Sequence, residues 1–481
     1  MNSRKHGKYL PIALVSLAAA ALVAVGCNSG STLTNSPQTA TGSSYVVGTD
    51  APMASVTSFA VQVENVCAVS TVSTTGVSSC TPLLSGTPTV DFARFNGLQT
   101  LLDMNSIPVG TYTQIQVTLG AATIGYLNVP ASGAPTIATE AATYPSSAST
   151  YTYTANLASP LVVTETGEPG GLRVDFDLLK SIGVDSNGNI TGAVTPTFNI
   201  NAVGTGDAGG YIDTLVAAVV SVGTQSFVVQ GPHGEQFTIN VSGTTEWENN
   251  ESISDLTTSS IVEVSGTIDK ADQTLDADDV AILSQSGFYA GGLVTYVEPS
   301  TTTVVPAPAP GFDLYVRGLL PTTTGINLGD IATIDLANSN NPTFFIRWMH
   351  TPLTQLLFNS SELMPGQHVS VGGPTSGAAS ESDVTVKRVV LRLWGYNGTV
   401  TAASVTPNAT GVTAFQMQVN GFAGVLVPET VTVYCLPAIQ WRNGLTAMSD
   451  LQVGSKVRVV GLLLNVNGQP VIVGHYVDSL D

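Results

Sequence analysis

The segment from Asp255 to Gly266 reads DLTTSSIVEVSG, and two later segments of the chain repeat its pattern. Glu362 to Gly373 reads ELMPGQHVSVGG, and Asp450 to Gly461 reads DLQVGSKVRVVG. Each copy begins with an acidic residue and a leucine, continues through a gap of five residues, and ends with a Val-x-Val pair and a glycine. Because the copies recur at intervals of roughly 90 to 110 residues, they indicate tandem small domains rather than a solenoid.

The leucine and the two valines of each copy form a repeated apolar signature. Alternate residues of a strand point to the same face, so the two valines of a copy should face inward together. We therefore expect these side chains to lie in the cores of three equivalent domains: Leu256, Val262, Val264, Leu363, Val369, Val371, Leu451, Val457 and Val459.

Three repeat units are predicted, spanning residues 204–287, 288–393 and 394–481. Each has five or six short strand patterns, which favours a small closed barrel of OB type. The middle strands are expected at Phe237–Val241, Phe344–Ile346 and Val431–Val433. This layout resembles DUF5666, an uncharacterised family of exported domains that often occur in tandem. The resemblance implies an OB-like fold and no known activity.

A tryptophan lies upstream of each signature: Trp247, Trp348 and Trp441. Glu246 and Glu248 flank the first, and an indole between acidic side chains is a candidate sugar platform. The matching neighbours in the other copies are taken as Arg347 and Gln440. Because the tryptophan recurs while its neighbours change charge, we interpret it as a core residue.

The first folded unit is predicted over residues 43–203. Apolar and polar residues alternate in segments such as Phe59–Val63, Ile115–Leu119 and Val174–Leu178, which is typical of half-buried strands. The predicted fold is all-β: an N-terminal β-sandwich followed by three small OB-like barrels in tandem. Thr49–Pro52, Pro108–Leu119 and Val174–Ser181 resemble DUF4382, an uncharacterised domain that opens many bacterial lipoproteins. That family has no established activity, so the resemblance implies no catalytic residue.

The first 26 residues have the pattern of an export signal. Basic residues are followed by an apolar run, Tyr9 to Val25, and then by Gly26 and Cys27. A transmembrane anchor is the alternative, but the run is at the short limit for a span. The ending resembles a bacterial lipobox, which implies acylation of Cys27 and membrane anchoring through the lipid; simple secretion is the alternative. Residues 27–42 are predicted to be a flexible tether.

Composition limits the partners of the chain. The net charge is −19, and a mature chain without the basic leader residues Arg4, Lys5 and Lys8 would carry −22. This charge argues against nucleic acid and anionic lipid surfaces as partners. In an oxidising compartment Cys67 and Cys80 are expected to form a disulfide across a hairpin. Cys435 is expected to be a buried thiol.

The negative charge is concentrated in the first repeat. Residues 203–287 contain thirteen acidic residues and one lysine, a net charge of −12. Asp276, Asp278 and Asp279 offer the hard oxygen ligands that calcium prefers, which makes Ca²⁺ a candidate cofactor. The alternatives are diffuse screening by salt and a guard against pairing at a strand edge.

No recognised catalytic motif is present in the sequence. The four histidines outside the leader have no second ligand at metal spacing, and we interpret them as turn or surface residues. Asp175 and Asp177 could act as paired carboxylates in a hydrolase, or simply form a solvated strand face. We favour a cell-envelope protein of binding or scaffolding type, not an enzyme, that contacts a glycan, a peptide or another envelope protein. The alternatives are an envelope hydrolase and a structural spacer.

Overall fold

The computed structural model describes residues 40–51, 56–70, 79–95, 98–128, 135–185, 190–207, 210–231, 234–269, 274–285, 287–300, 308–321, 325–347, 356–374, 384–407, 412–419, 430–466 and 468–480. The chain divides into two units, Met1–Thr39 and Ala40–Asp481, and the described residues all belong to the second. The predicted signal peptide and Cys27 lie outside the described residues. No helix among the described residues is long and apolar enough to cross a membrane.

The first part of the unit consists of two main sheets. Its strands are β1 Thr41–Ala51, β2 Val56–Ser70, β3 Ser79–Pro82, β4 Thr89–Asp91, β5 Thr100–Pro108, β6 Gly110–Asn128, β7 Thr136–Ala141, β8 Tyr151–Val163, β9 Gly170–Asp177, β10 Ile182–Val184, β11 Ile190–Val194 and β12 Phe198–Val203, and helix α1 is Leu178–Ser181. One sheet has the order β12-β9-β1-β5. The other has the order β3-β2-β6-β7, with β4 paired to β2 and β8 paired to β6.

Aromatic side chains join the two sheets. Phe59 on β2 stacks on Phe176 on β9, with ring centroids 4.9 Å apart, and Phe92 stacks on Phe176 at 5.1 Å. All three rings are buried in one continuous apolar cluster. The alternation predicted from the sequence thus faces two sheets toward a common core, as in a β-sandwich.

The first barrel is built from β13 Ile212–Val222, β14 Ser226–Gln230, β15 Gln236–Asn240, β16 Glu246–Trp247, β17 Ile261–Ile268 and β18 Leu275–Ser284. Strands β13, β14 and β15 form an antiparallel meander, and β17 pairs with both β13 and β18. A short parallel contact between β15 and β18 closes the ring. Five strands form the ring and β16 pairs with β18 beside it, which agrees with the small OB-like barrel predicted from the sequence.

The second unit contains β19 Gly287–Val297, β20 Gly311–Leu320, β21 Ile331–Asp335, β22 Thr343–Ile346, β23 His368–Pro374, β24 Val384–Thr385 and β25 Arg388–Leu391. Its last strand is divided: β24 pairs with β21, and β25 pairs with β23. The third unit contains β26 Trp394–Val405, β27 Thr413–Val419, β28 Thr430–Arg442, β29 Lys456–Val466 and β30 Gln469–Ser479. It is a closed barrel in the order β26-β27-β28-β30-β29, which is the ring order of the first barrel.

The signature residues occupy the same place in every unit. The leucine and both valines of each copy are buried, with the valines on β17, β23 and β29. The acidic residue has a local role: Asp255 accepts a hydrogen bond from the backbone N–H of Ser252 at 2.9 Å, and Asp450 accepts one from that of Ala447 at 3.1 Å. Each aspartate thereby holds a single 3₁₀ turn that delivers the following leucine to the core.

Strand register corrects two of the expected equivalences. The last strand of each unit has a valine at an equivalent position, and one residue of the unit pairs with it. The pairs are Trp247 with Val280, Phe344 with Val389, and Trp441 with Val477. Phe344 therefore takes the tryptophan position in the second unit, whereas Trp348 lies outside the described residues. The middle strand of that unit is β21, so the assignment to Phe344–Ile346 is wrong. The reason is that the second unit has a longer segment between β22 and Leu363 than the first has between β16 and Leu256, which a fixed spacing does not reveal.

Apolar clusters extend from one domain to the next. One apolar cluster contains core residues of the second unit together with Leu462, Leu464 and Val473 of the third. Another joins Tyr45, Val47 and Leu101 of the sandwich to the core of the first barrel. The described domains are thus packed through continuous apolar surfaces, and the sites between them have fixed walls.

Candidate functional site

A short turn of the sandwich supplies the first wall of the candidate site. Strand β4 ends at Asp91, whose Oδ1 accepts a hydrogen bond from the backbone N–H of Phe59 at 2.7 Å. The 3₁₀ turn Phe92–Arg94 follows, with Phe92 buried in the sandwich core. Because Phe92 anchors the turn, the sandwich sets the position of Arg94, the last residue of that turn.

The second barrel contributes an arginine that contacts two other domains. Arg317 on β20 donates from Nη2 to the backbone carbonyl of Ala93. Its guanidinium carbon lies 4.7 Å from the ring centroid of Trp394, the first residue of β26. A cation over an indole face is favourable, and more so when both are removed from water. Arg317 therefore links the sandwich, the second barrel and the third barrel at one point.

A buried ionic cluster joins the first and second barrels. Glu263 on β17 forms an ion pair with Arg347, whose Nε lies 2.8 Å away, and accepts a hydrogen bond from Arg392 Nε at 3.0 Å. Arg347 also contacts Asp279 on β18 at 3.1 Å. Arg392 donates to the Tyr289 hydroxyl at 2.6 Å. The first barrel supplies the carboxylates and the second supplies the guanidinium groups, so the cluster is specific to this pair of domains.

Burial and the neighbouring guanidinium groups shift the pKa values of two side chains in and beside this cluster. Burial by itself raises the pKa of Glu263, but the guanidinium groups of Arg347 and Arg392 outweigh it and lower the pKa to about 2. Burial, reinforced by the charge on Arg392, lowers the pKa of His368 to about 3. The His368 ring is therefore neutral, with Nδ1 donating to the carbonyl of Leu393 at 2.9 Å.

A cavity of about 280 Å³ lies where the sandwich and the first two barrels meet. Three arginines line it, Arg94, Arg317 and Arg392, together with two acidic residues, Asp91 and Glu235. The rest of the wall is largely apolar and includes Phe95, Leu98, Leu101, Leu215, Leu319 and Leu320. A cavity between domains with an apolar wall and a few convergent polar groups is the usual form of a small-molecule site.

A glycine keeps part of this wall open. A Cβ on Gly291 would come within 2.2 Å of the Tyr289 hydroxyl and 3.2 Å of Arg392 Nη1. A side chain at this position would therefore displace the contact between Tyr289 and Arg392.

A second cavity, of about 320 Å³, is more polar. Its lining includes Asp213, Asp278, Asp279, Arg347 and His475, which belong to the first, second and third barrels. Burial, despite a hydrogen bond from the backbone N–H of Gln99, raises the pKa of Asp213 to about 6. This cavity contains part of the same ionic cluster.

The candidate calcium ligands do not converge. Asp279 faces Arg347, whereas Asp276 accepts from Asn240 Nδ2 at 3.0 Å. Asp278 lies at an irregularity in the pairing of β17 with β18 and is exposed. Within the described ranges, no group of three or more His, Cys, Asp or Glu side chains is arranged to hold a metal ion. The aspartates that are adjacent in sequence have different partners.

The paired aspartates of the first domain also have local roles. Asp175 lies 3.5 Å from Arg173, and Asp177 caps helix α1 by accepting from the backbone N–H of Lys180 at 3.0 Å. Asp177 also pairs with the Lys180 ammonium at 2.7 Å. Neither aspartate is among the residues that line the two cavities.

The three described cysteines and the tryptophans Trp247 and Trp441 lie in or beside the apolar cores and sheets. Cys67 and Cys80 form a disulfide between β2 and β3, as expected from the sequence. Cys435 is buried, and burial raises the pKa of its thiol to about 12. Trp247 is partly buried and packs against the core residue Phe227, with ring centroids 6.4 Å apart. Trp441 packs in the same manner against the third core.

One histidine interpretation is wrong. His368 lies in a strand, is buried, and lines the first cavity. His475 lies on β30 and lines the second cavity. His233 and His350 fall outside the described residues. His368 stands immediately before a Val-x-Val pair, and the other two copies have Ile and Lys at this position. An apolar and a charged residue at equivalent positions do not predict that His368 is buried.

The repeat pattern does not predict the arginines of the site, although the sequence carries a signal for them. Three of them end short apolar runs: Arg317 follows Leu314–Val316, Arg347 follows Phe344–Ile346, and Arg392 follows Val389–Leu391. In a chain with only 15 basic residues, an arginine inside a strand pattern indicates a buried partner. The sequence does not indicate which acidic residue is that partner.

Comparison with protein families agrees with this architecture. Residues 216–281, which lie in the first barrel, match the model described as domain of unknown function DUF5666. No curated protein matches the chain. Residues 41–191, within the sandwich, match the model described as domain of unknown function DUF4382. The resemblance to these two domain families, in this order along the chain, is therefore confirmed.

Proposed function

We propose that this protein is a binding protein of the bacterial cell envelope, held to a membrane by lipid on Cys27, that takes its ligand between its domains. The observation that carries the proposal is the 280 Å³ cavity at the junction of the sandwich and the first two barrels. Ligand sites occur preferentially at domain interfaces, because several elements can there direct polar groups at one point.

Binding is better supported than hydrolysis by the first domain. Asp175 and Asp177 are held by Arg173, Lys180 and the first turn of α1, and neither lines either of the two cavities described above. A carboxylate pair that cleaves a glycoside must flank the bond it cleaves. The local pairing of these two aspartates supports a structural role instead.

Binding is also better supported than a spacer role. A spacer needs only end-to-end contacts, whereas these domains share apolar clusters and a buried ionic cluster. Such packing fixes the walls of the cavity relative to one another, and a preformed site binds with less loss of conformational entropy.

Location at a membrane rests on the first 27 residues. Their basic start, apolar run and Gly26-Cys27 ending support export followed by acylation. Intact-mass analysis of protein from the membrane fraction is expected to give a chain that begins at Cys27 and carries acyl chains. A mature chain with another first residue, or without lipid, would contradict the anchor.

The binding function is tested by screening the full mature chain, in lipid nanodiscs, against glycan fragments, short peptides and small organic compounds. Leu328 lines the cavity but is half exposed, so Leu328→Trp narrows the mouth without changing a core. At least one compound class is expected to raise the melting temperature of the wild-type chain and not that of Leu328→Trp. The proposal fails if no class has an effect that depends on Leu328.

A further inference from the structure

Resting on the proposed binding function, we propose that the cavity between the sandwich and the first two barrels binds a small organic monoanion, with its carboxylate on Arg94 and its apolar body against the leucine-rich wall. The three arginines that line this cavity differ in their protein partners. Two of them are held by protein groups, and one is not.

Arg392 and Arg317 already have their acceptors. Arg392 is bound to Glu263 through two nitrogens and to the Tyr289 hydroxyl through a third. Arg317 donates to the carbonyl of Ala93 and stacks on Trp394. These two guanidinium groups hold the domains together, so a ligand would have to compete with protein partners for them.

Arg94 is in a different state. Within the described part of the chain, its guanidinium has no hydrogen-bond acceptor and no ion pair, and its contact is the Phe95 ring, 5.4 Å from centroid to guanidinium carbon. A guanidinium carries five N–H donors, and those of Arg94 are available to an acceptor inside the cavity that this residue lines. Burial lowers the pKa of Arg94, and the charge on Asp91 offsets this only in part. An anion in the cavity would supply the missing acceptor.

The carboxylate of Asp91 is not this acceptor. Asp91 directs Oδ1 at the backbone N–H of Phe59, 2.7 Å away, and makes no ion pair with Arg94 among the described residues. Asp91 and Glu235 both line the cavity, so a ligand with two or more negative charges would be repelled. This combination of one available guanidinium and two fixed acids favours a monoanion.

The rest of the cavity wall determines the size and the apolar character of the part of the ligand that lies beyond its carboxylate. Leu98, Leu101, Leu319 and Leu320 are buried apolar residues at the junction, and Phe95 adds an aromatic face. A volume of about 280 Å³ is at the lower end of the range for ligand pockets. A planar carboxylate also matches the fork of an arginine in two parallel hydrogen bonds. Small aromatic or branched carboxylates fit these requirements.

The test uses isothermal titration calorimetry on the full mature chain in nanodiscs, with benzoate, its neutral analogue benzamide, benzylamine and inorganic phosphate. Benzoate is expected to bind at one site, and benzamide and benzylamine at least about tenfold more weakly, because each lacks the anion. Phosphate alone is expected to bind more weakly than benzoate because it lacks an apolar body. Equal binding of benzoate and benzamide, or of benzoate and phosphate, overturns the proposal.

Two variants assign the site. Arg94→Gln should weaken benzoate binding by at least about tenfold, whereas Lys180→Gln, which removes an exposed cation outside the cavity, should have no effect. If Arg94→Gln does not fold by circular dichroism, Leu328→Asp replaces it, since it places a negative charge at the half-exposed rim. Benzoate binding that is unchanged in the folded variant overturns the proposal. If benzoate fails but another compound shows binding that depends on Leu328, only this inference is wrong and the binding function stands.

Discussion

Glu263 of the first barrel and Arg347 of the second form an ion pair in which Oε2 and Nε lie 2.8 Å apart, with neither side chain more than 5% exposed. Glu263 is the middle residue of the first Val-x-Val pair. The equivalent residues Ser370 and Arg458 are also buried. Since the valines point into each barrel, the residue between them points outward, and it is nevertheless buried in all three units.

Glu263→Gln should destabilise the chain by about 3–5 kcal/mol at pH 7. The variant removes the carboxylate and leaves the guanidinium groups of Arg347 and Arg392 buried with less compensation. The free energy of unfolding, measured by urea denaturation, provides the comparison. Glu165→Gln, at an exposed position, is the control and should change stability by less than about 0.5 kcal/mol.

The difference in the free energy of unfolding between wild type and Glu263→Gln should depend on pH in a defined direction. The pKa of Glu263 is lowered to about 2 from an ordinary value of 4.5. The stabilisation is therefore complete above pH 4.5 and is lost as the pH falls toward 2. The gap between wild type and Glu263→Gln should shrink over that interval, and a constant gap would contradict the ionic contribution.

Asp213→Asn should stabilise the chain at pH 7.5 but not at pH 4. Burial raises the pKa of Asp213 to about 6 from 3.8, so the folded state favours the protonated carboxyl. Ionisation therefore reduces stability as the pH rises from 3.8 to 6, by up to about 3 kcal/mol. An asparagine oxygen can still accept from the Gln99 N–H. Denaturation curves at several pH values would show a flatter profile for the variant, and parallel profiles would contradict the assignment.

Leu363→Ala and Leu256→Ala should each cost about 2–5 kcal/mol, but they should loosen different regions. Leu363 packs in the cluster shared by the second and third barrels, and Leu256 packs in the one shared by the sandwich and the first barrel. Hydrogen exchange should increase in β29 and β30 for Leu363→Ala, and in β1 and β5 for Leu256→Ala. Leu357→Ala, at an exposed site of the second unit, is the control. Exchange confined to the mutated barrel would show that the cores are independent.

Removing the disulfide by Cys67→Ser with Cys80→Ser should lower stability by about 3 kcal/mol. The two cysteines are 13 residues apart, and the bridge restricts that loop in the unfolded chain. Unfolding monitored by urea, with and without reductant, measures the effect. Wild type in reductant should approach the double variant, whereas Cys435→Ser should leave the response to reductant unchanged because that thiol is free and buried.

The sequence by itself determined the local architecture. The acid–Leu–Val-x-Val signature located β17, β23 and β29 and their inward residues, because alternation along a strand and a capped turn are properties of neighbouring residues. It also determined the disulfide, since Cys67 and Cys80 lie on consecutive strands. The prediction of a middle strand at Phe344–Ile346 was wrong because an added segment in the second unit changes the regular spacing.

Only the tertiary structure decided the candidate site. Arg317 meets Ala93 across 224 residues, and Arg392 meets Glu263 across 129. A pattern with a period of two or a fixed repeat length carries no information about such pairs, because they depend on how whole domains pack. The same holds for Arg94. The sequence shows only an arginine after Phe92-Ala93, and the packing of the barrels against the sandwich makes that residue part of a cavity wall.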